Sequence, residues 1–425
     1  MRTTLAVLVC VLLCACSVMA QDSDDAQNIQ DEQETQETIT VPKSDLDLLN
    51  EKIEQLQLQI NEIKAGRQSD STLQTEPATY QPGSQTNEGG RHLALPDISL
   101  IVQSKGKFTD DKNDPDKQKI LLSEAELGIQ GYVYPNVKAD AFFAASPAED
   151  EPFGVEEAYL TYLGVSKGLN FNVGKKHVAF GRTNLLHNHS WLYTRQPTVI
   201  SNFVAPESLT GQGIGASYVI PTNCNFFAQL DLGTWANGES GEQSDLPDII
   251  MGPGANMTDR FNTARLWTSY PTSENSELEF GGSWAGGKSA EDQDHPETDY
   301  VHLKGMDLSY RHFGEGSNRT LLRSEYFWRS GTTDSNDATA QGYYLFGNYR
   351  WNKYGSIGLL YDWNEFPQAV DLHESSMSLI LTKQFSEQYY VRLQAIHGAR
   401  PDCGSYNECW LQWVWGVGPH THNLE

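Results

Sequence analysis

The side chains best suited to metal chemistry form a small histidine group in the first half of the chain. His187 and His189 are separated by one residue, and His177 precedes them. Imidazole nitrogens are common ligands for transition metals. No cysteine or carboxylate stands beside them at ligand spacing, so we interpret them as hydrogen-bonded loop side chains. The sequence therefore predicts no metal site and no cofactor.

A cysteine pair offers a second kind of chemistry. Cys403 and Cys409 lie close together in a segment rich in Pro, Gly, Ser and Asn. In an exported chain this spacing predicts a loop disulfide, and a metal pair is the weaker alternative because no other ligand cluster lies nearby. Cys224 is expected to stay unpaired.

No arrangement of residues typical of an enzyme is evident. The chain has no nucleophile elbow, no HExxH motif and no phosphate-binding loop. A barrel-type hydrolase remains an alternative, since catalytic triads need not be local in sequence. The net charge of −26 excludes nucleic-acid binding through a basic surface. We therefore expect a protein that is not an enzyme.

The beginning of the chain carries the pattern of an export signal. Residues 1–20 have a basic start, an apolar core and a small-residue cleavage site. A lipoprotein signal ending at Cys16 is the alternative. Residues 21–43 are acidic and polar, which predicts disorder. Residues 37–41 resemble a TonB box, but a TonB-dependent transporter needs a plug and a larger barrel than this length allows, so TonB is not an expected partner.

A short amphipathic helix is predicted over residues 44–65. Its apolar residues follow heptad spacing, which is typical of a coiled coil and favours a homo-oligomer, either a dimer or a trimer. A lone helix packed on the barrel mouth is the alternative. Residues 66–95 read as a flexible linker. The predicted coiled-coil core consists of Leu46, Leu49, Ile53, Leu56, Ile60 and Ile63.

From residue 96 onward the chain alternates apolar and polar residues with a period of two. Residues 121–146 show the unit: two strands joined by a tight Pro-Asn turn. Sixteen such strands are predicted, with short turns alternating with longer polar connections. This is typical of an all-β, transmembrane antiparallel barrel in the outer membrane. We assign residues 96–418 to the barrel and 419–425 to a tail; a secreted soluble β-protein is the alternative, since a mean hydropathy of −0.51 suits both.

One face of the strands carries charges and the other carries apolar groups. We assign the charged face to the lumen and the apolar face to outer-membrane lipid. The arginines could form a basic stripe that guides an anionic solute, or could pair with carboxylates on neighbouring strands. The predicted lumen-lining residues are Glu124, Glu126, Arg265, Arg311, Arg323, Glu325, Arg329 and Arg392.

The connection over residues 181–211 is too apolar for a solvated outer loop. It contains several leucines, a tryptophan and a phenylalanine. We predict that it folds into the barrel and narrows the channel, where selectivity is usually set. The candidate constriction residues are Arg182, His187, His189, Trp191 and Arg195.

Four motifs carry a resemblance to a known family. They are PDISLIV (96–102), ELGIQGYVYPNVKADAFFAASP (126–147), VEEAYLTYLG (155–164) and VGKKHVAFGRTNLLHNHSW (173–191). In these stretches the chain resembles the LbtU-type siderophore porins, the legiobactin-receptor family. The resemblance implies an outer-membrane barrel with a periplasmic coiled-coil arm that takes up ferric siderophore without TonB. A general diffusion porin and a non-transport adhesion barrel are the alternatives.

Overall fold

The computed structural model describes residues 95–112, 114, 116–146, 153–205, 207–222, 225–236, 261–288, 300–333, 336–366, 369–401 and 403–419. The predicted signal peptide, acidic segment, coiled-coil helix and linker lie outside these residues, as does most of the predicted tail. Among the described residues, no helix is long and apolar enough to cross a membrane.

The described chain forms a closed antiparallel barrel of sixteen strands, as the alternation predicted. Each strand pairs with its sequence neighbours, and β1 pairs with β16 to close the ring. Closure gives every strand two partners, so no edge is left open for pairing with another chain. The strands are β1 (Asp97–Thr109), β2 (Lys119–Tyr134), β3 (Val137–Ala145), β4 (Phe153–Ser166), β5 (Leu169–His177), β6 (Thr210–Val219), β7 (Phe227–Ala236), β8 (Phe261–Ser273), β9 (Ser276–Lys288), β10 (Tyr300–Phe313), β11 (Arg319–Thr333), β12 (Asn336–Asn352), β13 (Gly355–Phe366), β14 (Ala369–Ser386), β15 (Tyr389–Arg400) and β16 (Gly404–Val417).

The closing seam fixes the end of the barrel. Leu100 lies opposite Val417 and Thr109 lies opposite Glu408, so β16 is paired along most of its length. The last strand therefore ends at Val417, next to Gly418. The predicted β2–β3 hairpin is also confirmed, with Pro135 and Asn136 between its strands.

The alternation of loop lengths holds only in part. The connections after β1 and β5 are longer than the turns between β2 and β3 or between β12 and β13. By contrast, residues 334–335, 367–368 and 401–403 separate β11 from β12, β13 from β14 and β15 from β16, so these three connections are short. One of the longer connections predicted from the sequence covers residues 398–408. This prediction is wrong, because residues 398–400 belong to β15 and residues 404–408 belong to β16, and the two strands pair with each other there.

This extension also overturns the predicted disulfide. Cys403 lies in the turn, whereas Cys409 lies along β16 opposite Ala395, and the two sulfurs are not bonded to each other. At about 3.3 Å per strand residue, the two Cα atoms are much farther apart than the roughly 5.5 Å that a disulfide spans. The Pro, Gly, Ser and Asn residues around the two cysteines had suggested a loop, but residues 404–409 lie in strand β16 and pair with β15.

The two faces of the barrel wall have opposite character. On β11, Leu322 is 52% exposed and Trp328 38%, whereas Arg323 and Glu325 are 3% and 1% exposed. On β2, Leu127 is exposed while Glu124 and Glu126 are buried. Apolar side chains therefore cover the outside of the ring, and polar or charged side chains point inward.

A segment of the β5–β6 connection lies inside the ring. This infolded segment, residues 178–209, contains two short 3-10 turns (Thr183–Leu185 and Asn188–Ser190) and helix α1 (Thr198–Phe203). It hydrogen-bonds to buried side chains on β2, β4, β11 and β15, which lie around the ring, so it occupies the lumen. The prediction that this connection folds inward agrees with this placement.

Candidate channel constriction

An apolar core holds the infolded segment against one side of the lumen. The segment contributes Phe180, Trp191, Val199, Ile200 and Phe203 among others, and all of these are buried. Each large apolar side chain that is fully buried contributes roughly 1.5–3 kcal/mol. The wall contributes inward-facing apolar residues from β7 to β14, which are Trp235, Phe261, Ala285, Val301, Leu303, Leu321, Phe327, Ala340, Tyr344, Phe346, Leu360 and Ile380.

The two ends of the segment are tied together at the wall. Val178 N–H donates to Leu209 O (3.0 Å). The Asn184 amide donates to both Val178 O (2.9 Å) and Leu209 O (3.0 Å), and its oxygen accepts from Leu209 N–H (2.6 Å). The segment therefore leaves and rejoins the barrel through one buried asparagine clamp.

The chain turns into the lumen at a glycine. Gly181 has φ +61°, in the left-handed region that glycine adopts readily, and a Cβ at this position would overlap Glu325 Oε2. Gly181 N–H donates to Ser283 Oγ (3.0 Å) on β9. A glycine here lets the backbone pass directly against the inner wall.

Glu325 on β11 is the principal acceptor for the start of the segment. It accepts from Arg182 N–H (2.9 Å), Thr183 N–H (2.9 Å), Thr183 Oγ1 (2.6 Å) and Tyr344 Oη (2.8 Å). The carboxylate is almost fully buried, and hydrogen bonds to an ionised group are stronger than neutral ones. Arg182 extends further along the wall, where its Nε lies 3.7 Å from Glu279 Oε2.

The segment also binds β14, β15 and β16, which lie about a quarter of the way round the ring from β11. Thr194 and Arg195 N–H both donate to Gln394 Oε1, at 2.7 and 2.9 Å. The Arg195 guanidinium donates to Glu408 Oε2 (3.2 Å) and Ser376 Oγ (2.8 Å). Burial disfavours its charge, but the neighbouring acidic groups outweigh that effect and raise the pKa of Arg195.

Trp191 lies within the segment's own packing. Its indole N–H donates to Leu186 O (3.2 Å), and its ring stacks at a tilt on Tyr193. Of the predicted constriction residues, Trp191 therefore shapes the segment, whereas Arg182 fastens it to β9 and β11 and Arg195 fastens it to β14, β15 and β16.

His187 and His189 are buried side chains rather than loop surface groups. His187 Nδ1 lies 2.9 Å from Glu126 Oε2 and 3.2 Å from Glu156 Oε1, and its Nε2 lies 2.9 Å from Glu157 Oε2. His189 Nδ1 lies 3.5 Å from Glu126 Oε2. The premise that no carboxylate stands near these histidines is wrong, because the carboxylates come from strands β2 and β4.

The charge of this cluster favours protonation of its central ring. Burial opposes a charge on His187, but Glu156, Glu126 and Glu157 outweigh that effect and raise the pKa of His187 well above its ordinary value. Within the part of the chain that the structure describes, two groups of side chains also meet the geometric requirement for holding a metal ion: Glu156 with His177 and His187, and Glu124 with Glu126 and His189.

A β-bulge explains why two consecutive glutamates reach the same cluster. In the β3–β4 ladder Phe142 lies opposite Glu157 and Phe143 lies opposite Val155, so Glu156 is the extra residue. A bulge breaks the two-residue alternation and redirects a side chain. Strict alternation assigns Glu156 and Glu157 to opposite faces, so it does not predict that both side chains reach the same cluster.

Cross-strand pairing accounts for several of the predicted lumen arginines. Arg265 binds Asp307 through two hydrogen bonds, of 2.6 and 3.0 Å, and Arg311 binds Glu279 through two, of 2.9 and 3.0 Å. The paired arrangement, which was the alternative to a basic stripe, describes these two residues.

The remaining predicted lumen residues also lie on the inner face. Arg323 Nε donates to Ser309 Oγ (3.1 Å), and Arg392 donates to Gln412 Oε1 (3.0 Å) and to Tyr193 O (3.2 Å) in the infolded segment. Arg329 is 7% exposed, near the end of β11 that leads into β12. Glu124 accepts from the Asn188 amide of the segment.

Several contact residues were not predicted from the sequence. Asn184, Thr183, Gln394 and Gln412 are uncharged, and their positions in the pattern carried no special signal. Gln394 is fully buried on the inner face of β15, but its two bonds to the segment's backbone depend on the fold of the segment, which no local pattern indicates.

One distant relative matches about half of the sequence. No protein-family model matches the chain. An uncharacterized protein of Aquifex aeolicus (strain VF5) is 26% identical over 228 residues, which cover 50% of this chain and 46% of that protein. The chain thus matches about half of the length of that relative.

Solved structures with the same architecture are outer-membrane porins and channels. The anion-selective porin of Comamonas acidovorans gives a TM-score of 0.53 at 11% identity, covering 76% of this chain and 99% of that chain. A loop-deletion form of OmpT from Vibrio cholerae gives 0.52 at 12% identity, covering 76% and 99%. The channel DcaP of Acinetobacter baumannii gives 0.50 at 10% identity, covering 77% and 99%. At these identities the likeness establishes the fold, and the siderophore-porin resemblance rests on the sequence motifs.

Proposed function

We propose that this chain is an outer-membrane porin that passes small hydrophilic solutes through a lumen narrowed by the infolded segment. The observation that carries the proposal is a closed barrel with exposed apolar side chains outside and charged side chains inside. Lipid-embedded barrels need this two-sided pattern, whereas a soluble barrel of the same size would hide its apolar face.

The infolded segment supports a selective rather than a wide channel. It is fastened at Glu325 on β11 and, through His187, at Glu126 on β2, which lies seven strands away around the ring, so it crosses the lumen between them. Solutes pass beside Arg182, Arg195 and the paired charges of the wall. Selectivity then arises from the width that remains and from the charges that line it.

Ferric siderophore is the cargo that we propose, taken up without TonB coupling. The sequence motifs of residues 96–191 support it through their resemblance to siderophore porins. The described barrel has sixteen strands, fewer than the 22 of outer-membrane transporters with a plugged lumen, which supports independence from TonB.

We also propose a homo-oligomer held in the outer membrane. A solved OmpT structure of Vibrio cholerae with the same fold is a trimer form. The heptad pattern of residues 44–65 adds a second route to self-association. Cross-linking in native membranes, followed by the same measurement after removal of residues 44–65, separates the barrel's contribution from the helix's contribution.

Planar-bilayer recordings of the purified full chain test the porin function. Stepwise conductance increments that vary with the salt are expected, with a preference between cations and anions that reversal potentials measure. A correctly folded protein that does not conduct contradicts the porin proposal and favours a surface or adhesion role. Growth of a deletion strain on siderophore-bound iron tests the cargo: undiminished growth rejects the siderophore role and leaves a general diffusion porin.

A further inference from the structure

The carboxylate and histidine cluster between the infolded segment and strands β4 and β5 has the composition of a metal site. Glu156, His177 and His187 each offer one ligand atom, and these atoms all lie within 4.8 Å of one another. Two imidazoles and one carboxylate form a ligand set used by zinc and by non-haem iron. Calcium and magnesium prefer oxygen ligands, so this mixed set favours a transition metal.

The separations between the ligand atoms fit a single ion. His187 Nδ1 lies 3.2 Å from Glu156 Oε1, and His177 Nε2 lies 3.6 Å from the same oxygen. Ligand atoms that bind one ion at 2.0–2.2 Å stand roughly 3.0–3.5 Å apart in tetrahedral or octahedral geometry. To receive a cation the cluster needs small side-chain shifts and the loss of one hydrogen bond, because Ser208 Oγ lies 2.9 Å from His177 Nε2.

Two buried polar atoms in the cluster lack hydrogen-bond partners. Within the described residues, neither His177 Nδ1 nor Glu156 Oε2 has one, although both atoms are shielded from solvent. His177 is 3% exposed. A buried polar atom without a partner costs about 1–3 kcal/mol. A cation that binds both carboxylate oxygens of Glu156 removes this cost at Oε2, so this unpartnered oxygen supports a site for a cation.

The groups around the cluster are arranged as they are around known metal sites. His187 Nε2 lies 2.9 Å from Glu157 Oε2, so Glu157 can accept its N–H. His187 Nδ1 lies 2.9 Å from Glu126 Oε2 and 3.2 Å from Glu156 Oε1, and a cation that binds Nδ1 displaces the proton held there. A carboxylate that orients a metal-binding histidine in this way is common. The bulge in β4 delivers both Glu156 and Glu157 to this place.

We propose that Glu156, His177 and His187 bind one divalent transition-metal cation. The ion joins the infolded segment, through His187, to strands β4 and β5, through Glu156 and His177. This site does not require the channel to conduct, so metal binding and the porin function can be tested separately.

The test is zinc binding to the EDTA-treated full chain in detergent, measured by calorimetry and by metal analysis. We expect zinc binding that calcium does not match. Glu156→Gln and His187→Gln are each expected to weaken zinc binding at least a hundredfold, and Glu157→Gln 10–100-fold. His397→Gln, which alters an exposed histidine bound to Asn407, and a double His420→Gln and His422→Gln variant of the tail serve as matched controls with unchanged binding at this site.

The proposal is overturned if the native protein binds no zinc, or if Glu156→Gln and His187→Gln bind it as tightly as the native protein. Compact migration on an unheated gel checks that each variant folds. If the variants do not fold, zinc X-ray absorption on the native protein decides. Imidazole and oxygen ligands support the site, and a sulfur ligand or tail-dependent binding contradicts it.

Discussion

The hydrogen bonds at Glu325 predict how firmly the infolded segment is held. Replacing Glu325 by Gln keeps one oxygen as an acceptor but places an amide N–H₂ where the other oxygen accepts from Arg182 N–H. Two donors then face each other, which leaves a buried N–H without a partner and costs about 1–3 kcal/mol.

The bonds that remain at Glu325 also weaken. Thr183 N–H, Thr183 Oγ1 and Tyr344 Oη then donate to a neutral amide oxygen instead of a carboxylate. Charge-assisted bonds are roughly twice as strong as neutral ones, so each bond loses about 0.5–1 kcal/mol. The unpaired Arg182 N–H and the two Thr183 bonds are the losses that join the segment to the wall, and they sum to about 2–5 kcal/mol. A loss of about 3 kcal/mol, within this range, is roughly a hundredfold in the equilibrium for opening of the segment.

Hydrogen exchange followed by mass spectrometry measures this opening. Peptides covering residues 178–209 are expected to exchange about a hundredfold faster in Glu325→Gln, while β13 and β14 exchange at the native rate. Glu277→Gln is the matched control, because Glu277 binds Arg311 and Ser269 and makes none of the segment's hydrogen bonds described above. Equal exchange rates of the segment in the two variants would refute the assignment of Glu325 as an anchor.

Three further predictions concern other parts of the described chain. Asn184→Ala removes the clamp between Val178 and Leu209 and is expected to lower the temperature at which the segment becomes sensitive to protease, with the barrel's own unfolding unchanged; loss of both together would contradict a local role. Arg265→Met leaves Asp307 buried without its bidentate partner and is expected to destabilise the barrel by about 3–5 kcal/mol in denaturant unfolding, and adding Asp307→Asn should recover part of that loss; no recovery would contradict the pairing. Cys409 is expected to be alkylated without prior reduction, because it is not bonded to Cys403, and peptide mapping by mass spectrometry detects this; a peptide in which Cys403 and Cys409 are linked would restore the disulfide prediction.

The sequence predicted which side chains face outward or inward on the barrel wall better than it predicted which side chains meet in the lumen. Strands such as β11 turn one face toward an apolar environment and the other toward a polar one. The alternation of residues such as Leu322 and Arg323 therefore indicates directly which face each side chain occupies. The apolar content of residues 181–211 likewise indicated burial, and the structure places them inside the ring. Each of these signals is local in the chain.

The residues that meet across the lumen could not be predicted in the same way. His187 contacts glutamates on β2 and β4 because the segment folds back toward the strands that precede it, and no local spacing encodes that return. The position of Glu156 depends on one bulge, which shifts a side chain to the other face without any glycine or proline to mark it. The wrong disulfide has the same origin, since turn-like residues around Cys403 continue a paired strand.

Removal of the infolded segment tests whether this segment narrows the channel. The ends of the segment meet through the Val178–Leu209 hydrogen bond, so a short Gly-Ser linker can replace residues 184–206 without moving β5 or β6. A matched excision of residues 238–258, from the β7–β8 connection, controls for the loss of a long loop. If the segment narrows the channel, single-channel conductance in planar bilayers rises in the first variant well above the native value and above the control. Equal conductance in the native protein and the first variant, with both correctly folded, would contradict the account.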